Sequence, residues 1–333
     1  MYFCRLINKY SIEEMEINWY DYFMDALYKK YPKKVQLSQA LMDLLFIEKE
    51  AAYRRLRRDV VFTINEIVKI ASAWNISLDE MIGVNSKQVS FQMQKINYIN
   101  PSIEELNYLR SIIRSIDNFR NHPSTEIMEI CNKLPRQLLA GYENLNRFYL
   151  FKWMYQYGNE YESVPYSKIV VSAEKREVDQ AYSQAIKQVS SSSFIFDKMI
   201  FEFLVSNIRY FHSIRMITDQ EKELIKEELN KLLSYLMKIA HNGCYPETKN
   251  KINLYISQLS VDTNYSYTIS PAANICFIHV FEKFEIYTLN HEMVMNFKKW
   301  MQLKKRSSIQ ISEVDERSRL EFFAKQQQVI DSL

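Results

Sequence analysis

The chain has 333 residues, a length that indicates two domains or a small module joined to a larger one. Its composition, with 47% hydrophobic and 25% charged residues, is that of a globular protein and excludes extensive disorder. The net charge of +3 excludes binding to nucleic acid through bulk basicity. Only 4 glycines and 7 prolines occur, and because strand turns and βα loops use both residues often, their scarcity favours a mainly α fold.

The first predicted element is an amphipathic helix over residues 17–31, which Pro32 ends. Its apolar side carries Trp19, Tyr22, Phe23, Ala26 and Leu27. Residues 1–14 show no comparable pattern, so Met15 is a natural alternative start of the chain.

A short helix is predicted next, over residues 38–45. Ser38 is well placed as its N-cap. Leu41, Leu44 and Leu45 recur at the spacing that gathers apolar side chains on one helical face. A break over residues 46–48 ends this helix.

The segment after the break predicts a second short helix with a basic outer face, over residues 49–59. Ala52 and Leu56 face inward, and either Tyr53 or Val60 completes this inner side. The arginines left outside are Arg54, Arg57 and Arg58.

Two capping boxes then follow in close succession. The first, TINE at residues 63–66, opens a third helix with a broad apolar stripe. The stripe consists of Ile64, Ile67, Val68, Ile70, Ala71 and Trp74. The second box, SLDE at residues 77–80, starts a last short helix that holds Met81 and Ile82.

Positive charge is concentrated in this part of the chain. Residues 28–70 contain ten lysines and arginines against five acidic residues, a net charge of +5 in a protein whose total is +3. A local excess of this kind is typical of a surface that meets nucleic acid.

The segments LMDLL, YRRLRR and INEIVKIASAWNISLDEMI resemble the lambda-repressor-like, or Xre-type, helix-turn-helix domain of bacterial transcription regulators. The resemblance covers about a sixth of the chain and implies a DNA-binding domain over residues 15–82. Many members have glycine in the turn and a small residue midway along the first helix, where this chain has Phe46 and Met42. These two departures leave the register open by about one residue.

The resemblance also implies which side chains meet DNA, because in this family the N-terminal end of the second helix points toward the bases of the major groove. The base-edge candidates are Lys49, Glu50, Tyr53, Arg54 and Arg57. The candidate phosphate contacts are Arg58, Arg55, Lys33 and Lys34. The expected partners are double-stranded DNA and a second copy of the chain in a homodimer.

The remainder of the chain predicts a linker over residues 83–100 and a sensing or self-association domain over residues 101–333. This second domain is expected to be mostly helical, and a small antiparallel sheet is expected over residues 251–288. The predicted helices cover about residues 102–118, 124–133, 135–158, 174–190, 193–214, 219–241, 289–304 and 312–331.

No constellation for catalysis or cofactor binding stands out in the sequence, so an enzyme is not expected. His241 with Cys244 and Cys276 with His279 could supply four zinc ligands, but a strand would turn Cys276 and His279 to opposite faces. Free thiols in a reducing, cytoplasmic setting are therefore expected, without metal or cofactor and without a membrane span.

The aromatic stretch over residues 144–166 either forms helical core or lines a pocket for a small-molecule effector, and core is the commoner outcome. For the whole protein, the leading hypothesis is a sequence-specific DNA-binding transcription regulator that responds to a small-molecule or protein effector. The alternative is an interaction or scaffold protein that retains the helix-turn-helix fold without binding DNA.

Overall fold

A computed structural model describes residues 19–74, 76, 78, 89–93, 95–97, 100–120, 122–157, 161–271, 273–281 and 284–333. The chain divides into two compact units, one up to Ser90 and one from Phe91 onward. The division falls inside the predicted linker. Among the described residues, no helix is both long enough and apolar enough to cross a membrane.

The first unit is a bundle of short helices around one apolar core. Its helices are α1 (Trp19–Lys30), α2 (Lys34–Leu45), α3 (Lys49–Leu56) and α4 (Ile64–Trp74). Every helix contributes to the core, which includes Phe23, Leu27, Leu37, Leu41, Ala52, Leu56, Ile67, Ile70 and Trp74. The aromatic residue between α3 and α4, Phe62, packs edge-on against Phe23 with ring centroids 5.4 Å apart.

The helix starts in this unit agree only in part with the sequence. Residues 63–66 do form a capping box, since the Thr63 amide donates to Glu66 at 2.8 Å and the Glu66 amide donates to the Thr63 hydroxyl at 3.3 Å. Ser38 as an N-cap is wrong, because α2 begins one turn earlier at Lys34 and Ser38 is buried within it. Burial of Leu37 in the core accounts for the extra turn. The capping box predicted at 77–80 lies outside the described residues, apart from Leu78.

Both short helices of the predicted DNA-binding region end on a residue in the left-handed backbone conformation. At the end of α2, Phe46 has φ 55° and ψ 45° and is 90% exposed. At the end of α3, Arg58 has φ 67°, and the amides of Arg58 and Asp59 donate back to helix carbonyls at 3.0 and 2.9 Å. This pair of bonds is a Schellman motif, so α3 stops at Leu56 rather than at residue 59 as predicted.

The second unit is built on an eight-stranded mixed sheet. The described strands are β1 (Gln92–Met93), β2 (Glu126–Cys131), β3 (Ser191–Asp197), β4 (Lys251–Ser257), β5 (Tyr265–Ile269), β6 (Asn274–Val280), β7 (Phe284–Thr288) and β8 (Ser308–Gln310). Their order in the sheet is β1-β7-β6-β5-β2-β3-β4-β8. The three strands β2, β3 and β4 are parallel to one another, and every other pairing is antiparallel.

Helices connect the parallel strands and cover the sheet. They are α5 (Ile103–Phe119), α6 (Arg136–Leu139), α7 (Glu143–Tyr157), α8 (Ala173–Lys187), α9 (Ile200–Ser213), α10 (Asp219–Asn242), α11 (His291–Lys304) and α12 (Glu316–Asp331). The largest core lies between one face of the sheet and helices α6, α7, α9, α10 and α12. On the other face, α11 packs Val294, Phe297 and Met301 against Ile195 and Tyr267.

The prediction of a mainly α fold with only a small antiparallel sheet is therefore wrong. Residues 251–288 do form strands β4 to β7, but these belong to a sheet that runs through the whole unit. The centre of this sheet is not predicted: residues 126–131 and 193–197 fall in expected helices, but they form β2 and most of β3. Both strands are buried on their two faces, so their sequences lack the alternation of apolar and polar residues that marks an exposed sheet.

The described part of the aromatic stretch over residues 144–166 contributes to the helical core, as expected. Phe148, Phe151 and Tyr166 are at most 1% exposed and pack against Phe211 of α9 or against one another. The capping boxes that open α5 and α10, and the left-handed Gly243 that ends α10, are likewise present.

A buried group of charges joins α6 to α8. Asp179 is 3% exposed and accepts hydrogen bonds from Arg136, whose Nε lies 2.8 Å away, and from Lys175. Burial would raise the pKa of the Asp179 carboxyl, but the two cations outweigh it and hold the pKa below its ordinary value. Burial and the Arg136 charge lower the pKa of Lys175 to about 8. The single carboxylate therefore compensates two cations that the fold brings together.

Replacing Phe46 by glycine is expected to stabilise the first unit by about 0.5–1 kcal/mol, because glycine adopts the left-handed conformation without steric cost. The exposed phenyl ring contributes little packing that could be lost. Hydrogen-exchange protection of α2 and α3 in the full chain measures the change. Phe46→Ala keeps the Cβ atom and serves as the control, which should show no gain; equal gains in both variants would contradict a backbone origin.

Replacing Asp179 by asparagine should lower the free energy of unfolding by about 3–5 kcal/mol at pH 7, because two cations lose their shared anion. Urea unfolding followed by tryptophan fluorescence measures this loss. The difference from the parent protein should shrink as the pH falls through the lowered pKa of Asp179, where the parent loses the same charge. Glu321→Gln, which breaks an exposed pair with Arg317, is the control and should leave stability unchanged.

Candidate nucleic-acid interface

The orientation of α3 is set by the two residues that it buries. Ala52 and Leu56 are 0% and 5% exposed and face the core of the first unit. Lys49, Glu50 and Arg54 are consequently exposed, and Tyr53 is half-buried beside them. Together with Arg57, which follows the last helical residue, these are the five base-edge candidates, and they share the outer side of one two-turn helix.

The N-terminal end of α2 adds positive charge beside this face. Lys33 and Lys34 are exposed, and the Lys34 Nζ lies 5.9 Å from the centre of the Tyr53 ring. A cation held over an aromatic ring is a weak attraction that places Lys34 next to the middle of α3. The start of α2 therefore places exposed lysines next to the exposed residues of α3.

Arg57 is exposed but has carboxylate partners within its own helix and turn. Its guanidinium donates to Glu50 and to Asp59, both at 2.8 Å. The hydrogen bonds to Glu50 and Asp59 raise the pKa of Arg57. Pairs of this kind on a protein surface contribute little to stability, so a DNA phosphate or guanine edge can compete for the guanidinium.

Arg58 lies in the turn after α3, where it forms an ion pair with Asp21 of α1. Both side chains are about half exposed. The pair connects the turn after α3 to the first helix of the bundle.

Arg55 differs from the other arginines because it points toward the bundle. Its Nε and one terminal nitrogen donate to the two oxygens of Glu66 at 3.2 and 2.7 Å, and its side chain is only 15% exposed. The guanidinium also lies 6.0 Å from the centre of the Phe62 ring. Arg55 therefore joins α3 to the start of α4 instead of facing solvent as a phosphate contact would.

Arg54 is left as the exposed arginine of α3 that forms no ion pair within the part of the chain that the structure describes. It lies one turn after Glu50, in the last turn of α3. Its planar guanidinium can form two parallel hydrogen bonds with the O6 and N7 atoms of guanine. Among the sequence-predicted arginines, Arg54 is therefore the one that is exposed and is not paired with a carboxylate of the described residues.

Metal chemistry finds no support among the described residues, where no group of three or more histidine, cysteine, aspartate or glutamate side chains could hold an ion. Cys276 is buried against α11 on one face of the sheet. His279, three residues later, binds Glu285 at 2.7 Å, so it is a satisfied histidine beside the core. The described cysteines Cys131, Cys244 and Cys276 are free thiols, as expected, and Cys4 lies outside the described residues.

Comparison with known proteins found no protein-family model, no curated protein and no solved structure that matches the chain. The resemblance of residues 36–82 to repressor-type helix-turn-helix domains therefore depends on the sequence of these residues alone.

The Arg55–Glu66 pair gives the first unit a specific pH dependence. Partial burial would raise the pKa of Glu66, but the hydrogen bonds from Arg55 and Thr63 outweigh it and lower the pKa. A lowered pKa adds stability that is present above the ordinary value of about 4.3 and is lost as the pH falls through the folded value. We expect Glu66→Gln to destabilise the first unit by about 1–2 kcal/mol at pH 7 and to flatten its response to acid.

Hydrogen exchange of the α4 amides between pH 7 and pH 3, corrected for intrinsic exchange rates, checks this expectation. Asp25→Asn removes an exposed carboxylate from α1 and is the control, which should retain the acid response of the parent. An unchanged pH profile in Glu66→Gln would show that the pair does not hold α3 to α4.

Proposed function

We propose that this protein is a sequence-specific DNA-binding regulator of transcription, in which α2 and α3 form the helix-turn-helix and the second unit senses a signal or mediates self-association. One observation carries the proposal: the outer side of the short helix α3 exposes Lys49 and Arg54 beside the half-buried Tyr53, while its inner side is fixed in a small core. A helix of this size fits the major groove of DNA.

The surrounding charges support the same function. Lys33 and Lys34 are exposed at the start of α2, and Lys34 lies beside Tyr53 of α3, so both can neutralise DNA phosphates next to α3. Phosphate contacts of this kind position a protein on the duplex, and contacts to base edges supply the sequence preference. A homodimer would place two copies of α3 on half-sites about 34 Å apart, one turn of DNA.

A second candidate function, a protein-interaction module that does not bind DNA, is favoured by a different observation. Arg57 and Arg58 are paired with Glu50, Asp59 and Asp21, and these pairs reduce the charge that the surface offers to phosphates. The two functions differ in whether the first unit binds DNA. A regulator binds duplexes of one sequence, and an interaction module binds no DNA sequence preferentially.

Selection of bound duplexes from a random pool by the full chain tests the proposal, and Arg54→Ala is the deciding variant. The parent protein should enrich one motif, in two inverted copies if it binds as a homodimer. Arg54→Ala should weaken binding to that motif by about 1–3 kcal/mol and relax the preference at one base pair. Lys34→Ala should instead weaken binding to all sequences alike and reduce the dependence on salt.

Lys69→Ala provides the matched control, because Lys69 is an exposed lysine of α4 outside the proposed face. Its removal changes the charge by the same amount and should leave the preferred motif and its affinity unchanged. If the parent protein enriches no sequence, the DNA-binding proposal is wrong and the interaction module takes its place.

A further inference from the structure

The second unit contains a pocket that the proposed DNA-binding face does not use. It lies where the parallel strands β2 and β3 end, between helices α7 and α9, and has a volume of about 380 Å³. In sheets with parallel strands and helical connections, ligands bind outside the carboxyl ends of the strands. A volume of this size falls within the range of about 300–1,000 Å³ that small-molecule sites occupy.

Two lysines from different elements line this pocket. Lys133 follows directly after β2, and Lys152 lies on α7 and is only 8% exposed, in a helix whose neighbouring positions are core. Both lysines make contacts within the chain. An ammonium has three donors, so such a lysine can also bind a ligand anion, and burial of Lys152 strengthens that attraction.

Amide and hydroxyl groups complete the polar side of the pocket. Gln156 lies one turn after Lys152 on α7, and Ser206 and Asn207 lie on the facing side of α9. No described residue that lines the pocket carries a carboxylate. The lining is therefore positive and rich in neutral hydrogen-bonding groups, which matches an oxyanion.

The loop before β5 holds Asn132 in place at the end of β2. Asn132, which lines the pocket beside Lys133, donates from its amide nitrogen to the Asp262 carbonyl at 2.8 Å. Its side-chain oxygen is buried and closed to the pocket, so Asn132 contributes to the wall of the pocket without a free polar atom.

The remaining lining is apolar and contains an exposed aromatic ring. Ile200 and Leu204 lie on the same side of α9 as Phe203, which is 46% exposed although it borders the pocket. A flat apolar group of a ligand would cover Phe203 while an anionic group meets the lysines.

We propose that this pocket binds a small phosphorylated molecule that carries hydroxyl groups and a flat apolar moiety, the chemistry of a mononucleotide. Lysine binds phosphate as a compact point charge, the amide and hydroxyl groups of Gln156, Ser206 and Asn207 can bind a sugar hydroxyl, and Phe203 packs against the base. The site does not depend on the proposed DNA binding, because every residue in it belongs to the second unit.

Isothermal titration of the full chain with adenosine 5′-monophosphate, inorganic phosphate and adenosine tests the proposal. The monophosphate should bind more tightly than inorganic phosphate, and uncharged adenosine should bind weakest. Asn207→Asp places a negative charge in the pocket on a half-buried helical position, and it should weaken binding of the monophosphate by about tenfold or more.

Lys133→Met should weaken binding of the monophosphate by a similar factor, and Phe203→Ala should weaken it while leaving inorganic phosphate unchanged. Lys238→Met removes an exposed lysine of α10 outside the pocket and should leave all three affinities as they are. Circular dichroism confirms that each variant is folded. The proposal is overturned if none of the probes binds the parent protein, or if Asn207→Asp and Lys133→Met bind the monophosphate as tightly as the parent does.

Discussion

The first unit depends on the packing of Ala52 and Leu56 of α3 against the core formed by α1, α2 and α4. A helix of eight residues has no stability of its own in water, so this contact both holds α3 and decides which of its sides faces outward. The turn before α3 requires a left-handed residue at Phe46, and the chain accepts the steric cost there without glycine. The outer side of α3 is therefore a consequence of how the inner side packs.

The arginines of α3 divide into different roles because acidic residues surround them unequally. Arg55 pairs with Glu66 in a half-buried position and connects α3 to α4, and Arg58 connects the following turn to α1. Arg57 pairs with residues of its own helix and turn. Arg54 keeps an exposed guanidinium, which makes it the residue on which a sequence preference would depend. If the protein binds DNA as proposed, the several lysines of this surface would contact phosphates and contribute affinity. The single unpaired arginine would contact a base and contribute specificity.

The second unit follows a different physical rule. Its parallel strands β2, β3 and β4 are covered by helices on one face and by α11 on part of the other. The backbone groups of these strands form their hydrogen bonds with neighbouring strands. Polar side chains then collect where the strands end and the chain turns into helices. The pocket between α7 and α9 lies at such an end, and sequence reasoning missed Lys133 and Lys152 because they belong to separate elements. The available signal in the sequence was Lys152, a charged residue within a helical stretch that is otherwise rich in aromatic residues.

The sequence by itself determined the features whose partners lie within a few residues: amphipathic helices, the capping box at Thr63, and the end of α10 at Gly243. It also located β4 to β7, which contain β-branched and aromatic residues between clear turns. Only the tertiary structure decided that residues 126–131 and 191–197 are neighbouring parallel strands, because a short apolar run suits a buried helix and a buried strand equally well. The same holds for the arginines of α3, since a guanidinium pairs with whichever carboxylate the fold brings within reach, and that distance is set by packing between elements.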